Sequence, residues 1–390
     1  MNTVTTALPA MPALEDYLAQ LKPIPLNGVM PDTDSLARWA TEMFPWMHVG
    51  DTLADQAVLA LRKHGIGLAN PASALQSLAD QGDTACQALL DDSRNTPDWV
   101  DYDLMRAGGA MAQRHFPMLV LGLTYGGLPL TFGHPDSAEV FSGTGRMQAN
   151  ISRRLNESAS LFLGIYDSDE LAPGGTMWEV CLHVRLVHSL IRLNLIKQGW
   201  DVAGRGVPVN QLSTAAGPAF FGTHQLGCLR RLGARVSDAE SEGFTMIWRY
   251  VTRLLGVPEE LVGSTQAEQD VFDQHITSLV FAPDDTGRQM MKDLMHGLAT
   301  QKPTATMPAA MQKALFRRML GDTMADAYEI PRSPLGELQL RVMMPALYTY
   351  GWAQNTPGLS KWLQRTGRRV LKGVATEGII QFDQTGEEAR

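Results

Sequence analysis

The segment Val180 to Ile196, VCLHVRLVHSLIRLNLI, constrains this chain more than any other. At 100° per residue its Val, Leu, Ile and Cys cover most of a helical circumference, so the helix belongs inside a protein. Yet Arg185, His188, Ser189 and Arg192 fall within one arc of about 100°. Two buried guanidinium groups are very costly unless an anion answers them. The stripe therefore calls for a partner: either protein carboxylates or a ligand that carries them. His183 lies five residues before His188, about 140° away around the helix. That spacing excludes the i, i+4 histidine pair that grips a metal from one helix face, and His183 reads as a hydrogen-bonded core histidine.

Elsewhere too, apolar residues recur every three or four positions, and no run alternates as a strand would. The fold class expected is all-α, a large helical domain. Only 19% of the 390 residues are charged, against about 25% in an ordinary globular chain, which leaves ample side chain for a sizeable core. Residues 1–98 read as short helices broken at prolines, a helical N-terminal extension. Residues 99–330 carry the densest pattern and form the core, and residues 331–390 a helical C-terminal extension. Ser237-Asp-Ala-Glu240 is a capping box opening a helix that stops at Gly256-Val-Pro258. Later helices are predicted over 265–282, 285–300, 307–328 and 335–353. The uncharged run Phe116 to Gly133 is long enough to approach a bilayer's thickness. Pro117, Pro129 and the Gly126-Gly127 pair interrupt it, so it reads as a buried helix followed by a turn and not as a span.

The formal charge of −8 argues against a nucleic-acid surface, which needs a basic excess. Cys86, Cys181 and Cys228 are too few and too scattered for a disulfide framework or zinc ribbon, and suit a reducing compartment. The opening MNTVTTALPAMPALEDYLAQLK has its first basic residue at Lys22, unlike a secretory or transit leader. The expected location is cytoplasmic. The stretch Lys361 to Lys372 reads as a solvated basic helix face, with membrane-surface contact as the lesser alternative. Asn210 and Gln211 read as the cap of a helix. The remaining histidines, among them His224, show no metal-ligand spacing.

Several blocks of the chain resemble the haem-b-dependent rubber oxygenase (latex clearing protein) and MpaB oxygenase family. In order they are TGRMQANISRRLNESASLF, PGG (173–175), VRLVHSLIR (184–192), GWDVAGRGVPVNQ (199–211), LRRLGARVSDAESEGFTMIWRYVTRLLGV (229–257) and LFRRMLGDTMADAYEIPRSPL (315–335). The resemblance implies a globin-like helical core around haem b, with His188 as the proximal iron ligand and Arg185 or Arg192 pairing a haem propionate. The distal block of rubber oxygenases, Arg-x-x-Lys-Thr, falls on Arg154, Glu157 and Ser158. Glu157 stands where those enzymes have lysine, so a lysine-capped resting state is not available here and rubber itself is a less natural substrate. The implied function is oxidation, extending to cleavage, of a hydrophobic alkene or isoprenoid-like substrate by O₂. The alternatives are a haem peroxidase or monooxygenase, or a haem-binding sensor or carrier without turnover.

Overall fold

The computed structural model describes residues 11–388 except 69, 144–160 and 301–303. Among the described residues there is no strand, only an isolated bridge between Leu26 and Val29. The all-α expectation holds.

Helix Thr176–Lys197 runs through the body of the molecule. It opens after the Pro-Gly-Gly turn at 173–175 and ends before Gly199, whose φ of 93° suits only glycine well. It packs against Thr52–Lys63, Pro71–Asp80 and Asp238–Leu254. Helix Asp238–Leu254 in turn lies on Tyr102–Arg114, where glycine lets the backbones touch. A Cβ on Gly108 would sit 2.2 Å from the Phe244 nitrogen. The predicted capping box is present: Ser237 accepts from the Glu240 backbone and Glu240 returns to Ser237. Ser237→Ala is expected to cost about 1 kcal/mol, readable as a lower urea midpoint.

The later helices are Gln266–Val280, Asp285–Thr300 and Pro334–Ala353, close to the expected bounds. The helix expected over 307–328 is instead two, Ala309–Leu320 and Asp322–Ala327. Gly321 separates them with φ 80° and ψ 164°, a conformation no helix contains. The Phe116 to Gly133 run also differs in detail from a helix and turn. It is helical from Phe116 to Gly122, widens into a π-turn over Leu123–Gly127, and continues as Leu128–Leu130. A second π-turn, Pro218–Thr223, packs against the first. No helix among the described residues is long and apolar enough to cross a membrane.

Candidate functional site

The charged arc of helix Thr176–Lys197 divides in two. Arg185, Ser189 and Arg192 are buried, and the first 98 residues supply their carboxylate partners. Arg185 donates from Nε to Asp51 at 2.6 Å and from Nη1 to Asp92 at 2.6 Å. Arg192 donates from Nη2 to Asp55 at 2.7 Å and from Nη1 to the Val209 carbonyl at 2.7 Å. Ser189 adds a hydroxyl donor to Asp55 at 2.6 Å. Arg253 completes the set by donating to Asp92 at 2.6 Å. Three guanidinium groups thus face three carboxylates. Burial works against the Arg185 charge, but Asp51 and Asp92 outweigh it and raise its pKa. Gly256, at φ 90°, leaves room for this: its Cβ would stand 2.1 Å from Asp51 Oδ2 and 2.5 Å from Arg185 Nε. The anion that the sequence demanded is therefore provided from within the chain, and neither arginine needs a ligand for charge balance.

His188 sits at the edge of this network and not inside it. It is half-buried, and among the described residues its imidazole has no hydrogen-bond partner. Val184, Val187, Ile191 and Leu195, also half-buried, share its side of the helix. Desolvation, and then the Arg192 charge, push its pKa down to about 4, with Asp51 opposing. At neutral pH it is an uncharged imidazole with a free lone pair on a partly open apolar stripe. His183, five residues earlier, is half-buried and engaged with another group.

Arg154, Glu157 and Ser158 lie outside the described residues. Asn210 caps helix Gln211–Thr214 by accepting from the Ser213 nitrogen at 2.8 Å. Gln211 instead donates to the Gly256 carbonyl at 3.0 Å, fastening the turn beside Arg185.

Three buried polar groups stand out that pattern reading did not single out as a site. Among the described residues His224 has no partner at either ring nitrogen, and burial together with Arg231 lowers its pKa to about 3. It directly follows the second π-turn and faces Gly126 of the first, whose Cβ would lie 3.3 Å from Nε2. Asp273 accepts from Thr223 and Gln269, each at 2.6 Å, and burial raises its pKa to about 7. Arg249 stacks 4.7 Å over the Trp99 ring, while its Nε and Nη2 find no acceptor among the described residues. Only the π-turn prolines and glycines hinted at this region, since π-bulges concentrate at functional places. Among the described residues no group of three His, Cys, Asp or Glu side chains is placed to hold a bare metal ion.

Comparison with known proteins gives three matches. The family model for the ER-bound oxygenase mpaB/B'/rubber oxygenase catalytic domain matches residues 110–349. A rubber oxygenase from Streptomyces sp. (strain K30) is 23% identical over 269 residues, covering 67% of this chain and 64% of that protein. The chain thus spans less than two thirds of the length of this curated relative. The solved structure of latex clearing protein LCP in the closed state is alike in fold, with a TM-score of 0.61 at 18% identity, over 86% of this chain and 91% of that one.

Proposed function

The chain belongs to the MpaB and rubber oxygenase family, and from that premise we propose that it is a cytoplasmic haem-b oxygenase that uses O₂ to oxidise, and at a double bond cleave, a hydrophobic alkene or isoprenoid-like substrate. The observation that carries the reading is the state of His188. A neutral imidazole without a partner among the described residues, flanked by half-open apolar side chains, fits the proximal ligand of a haem iron. Haem b, when bound, supplies the activation of dioxygen, which no side chain offers.

The chain's own residues hold the ligand in place. Asp51, Asp55 and Asp92 lock the adjoining flank of the helix through Arg185 and Arg192, fixing its rotation and with it the direction of the His188 ring. The support for both arginines is thus for a positioning role, and a propionate partner would share a guanidinium already bonded to carboxylate. Arg154, Glu157 and Ser158 are proposed for the distal side on the likeness of their block alone. There Arg154 donates hydrogen bonds, Ser158 offers a hydroxyl and Glu157 moves a proton. Glu157→Gln is expected to slow turnover of an apolar alkene while haem content stays unchanged, measured by product formation and absorbance together. An unaltered rate would remove Glu157 from the site. Product formed from H₂O₂ in anaerobic buffer, and not from O₂, would move the protein to peroxidase chemistry.

The lone pair of His188 also sets a pH dependence. In the unfolded chain the imidazole takes up a proton near its ordinary value of 6.5, but in the folded chain only at about 4. Its contribution to stability is fully present above 6.5 and is lost as pH falls through about 4. Haem absorbance is accordingly expected to persist from about pH 8 to about pH 5 and to be released only near pH 4. Release with a midpoint near the ordinary histidine value would contradict the assignment of a desolvated ligand.

A further inference from the structure

Residues 338–372 hold Arg341, Lys361, Arg365, Arg368, Arg369 and Lys372 and no acidic residue, in a chain whose formal charge is −8. Two helices, Pro334–Ala353 and Pro357–Glu388, carry this segment. Their inner faces are tightly seated. A Cβ on Gly336 would lie 1.9 Å from the Ala310 carbonyl oxygen, on Gly351 2.0 Å from that of Gly233, and on Gly367 1.8 Å from that of Gln113.

Their outer faces are apolar and open. Leu335, Leu338, Val342 and Trp352 are 59–75% exposed and fall within one arc of about 100°, turned away from the seated glycines. Across the short turn at 354–356, Trp362 is 60% exposed and shares its face with Leu359, Arg365 and Arg369. Arg368 and Lys372 reach back to Asp167 and Glu170 and tie the second helix to the body. Arg341, Lys361, Arg365 and Arg369 are exposed and have no carboxylate partner among the described residues. Exposed apolar side chains that include tryptophans, with arginine or lysine around them, form the pattern of a surface that lies in a membrane interface.

We propose that the outer faces of these two C-terminal helices dock the protein on an anionic lipid bilayer. Trp352 and Trp362 enter the headgroup boundary with Leu338 and Val342, and Arg341, Lys361, Arg365 and Arg369 meet the lipid phosphates and carboxylates. The charge of the patch argues for this occupant: in an acidic protein, four exposed cations without a carboxylate partner among the described residues surround large exposed apolar side chains, and anionic headgroups complement both. Such docking would also bring the protein to the phase in which an apolar chain-like substrate dissolves, although the inference does not depend on that activity.

The test is co-sedimentation of the full chain with vesicles of phosphatidylcholine alone or of phosphatidylcholine with phosphatidylserine. The expected result is pelleting with the serine-containing vesicles only, weakened about tenfold or more between about 0.1 M and about 1 M salt. Joint replacement Trp352→Ser and Trp362→Ser is expected to abolish pelleting, and Arg365→Glu with Arg369→Glu to remove the preference for anionic lipid, both with unchanged circular dichroism. Wild-type protein that stays in solution with anionic vesicles overturns the proposal, as does undiminished pelleting of the tryptophan variant. A concentration-dependent dimer that the tryptophan variant loses, with no vesicle binding, would assign the face to a second copy of the chain instead.

Discussion

Arg185→Met is expected to destabilise the folded chain by about 3–5 kcal/mol, the cost of removing one partner from a buried ion pair. The substitution leaves Asp51 and Asp92 facing space the guanidinium had filled, Asp51 without its shortest hydrogen bond and Asp92 without one of its two at 2.6 Å. Asp92 retains Arg253, and Asp51 retains only its role as helix cap, accepting from the Ala54 nitrogen at 3.1 Å. The deficit should narrow as pH falls, because protonating the stranded carboxylates relieves the unpaired charge. Urea denaturation of the variant and the parent between neutral and mildly acidic pH checks both statements. Arg249→Met provides the contrast. Burial already weakens the charge of Arg249, and two of its nitrogens have no acceptor among the described residues. Its replacement should cost much less, and equal losses at the two positions would contradict the account of the three-arginine, three-carboxylate network.

His188→Ala is expected to abolish stoichiometric haem, whereas His183→Ala should keep most of it. The two residues belong to one helix and are both half-buried, so loss of helix packing alone would affect them similarly. They differ in what their rings meet. His188 has no partner among the described residues and a pKa held near 4, while His183 is already engaged. Absorbance in the Soret region after hemin titration, with circular dichroism as the control for folding, separates them. Equal loss in both variants would remove His188 from the role assigned here.

The most legible part of this protein was whatever its local patterns determine. Helix Thr176–Lys197, the Ser237 capping box and the stop before Pro258 follow from 3.6-residue spacing and hydrogen bonds between near neighbours. The sequence also told that Arg185 and Arg192 need anions. It did not tell which, because Asp51, Asp55 and Asp92 lie 93 to 137 residues away along the chain and nothing local marks them as partners. The extension that supplies them looks peripheral in pattern, yet its carboxylates reach the innermost helix. The break at Gly321 is not legible in the sequence, because one glycine in a periodic stretch costs only about 1 kcal/mol in a helix, too little to announce it. The π-turn over Leu123–Gly127 looks like an interruption in the sequence because π-turns share prolines and glycines with ordinary turns. His224, Asp273 and Arg249 were illegible for a related reason: isolated polar residues among apolar ones usually face solvent or a partner, and only packing reveals that these have too few.

The most direct test of the central claim is the haem-to-protein ratio of the full chain, expressed with ample haem precursor and measured by the pyridine haemochrome method. The account predicts close to one haem b per chain, released by His188→Ala. Purified protein that remains colourless, and stays so after incubation with excess hemin, would contradict it.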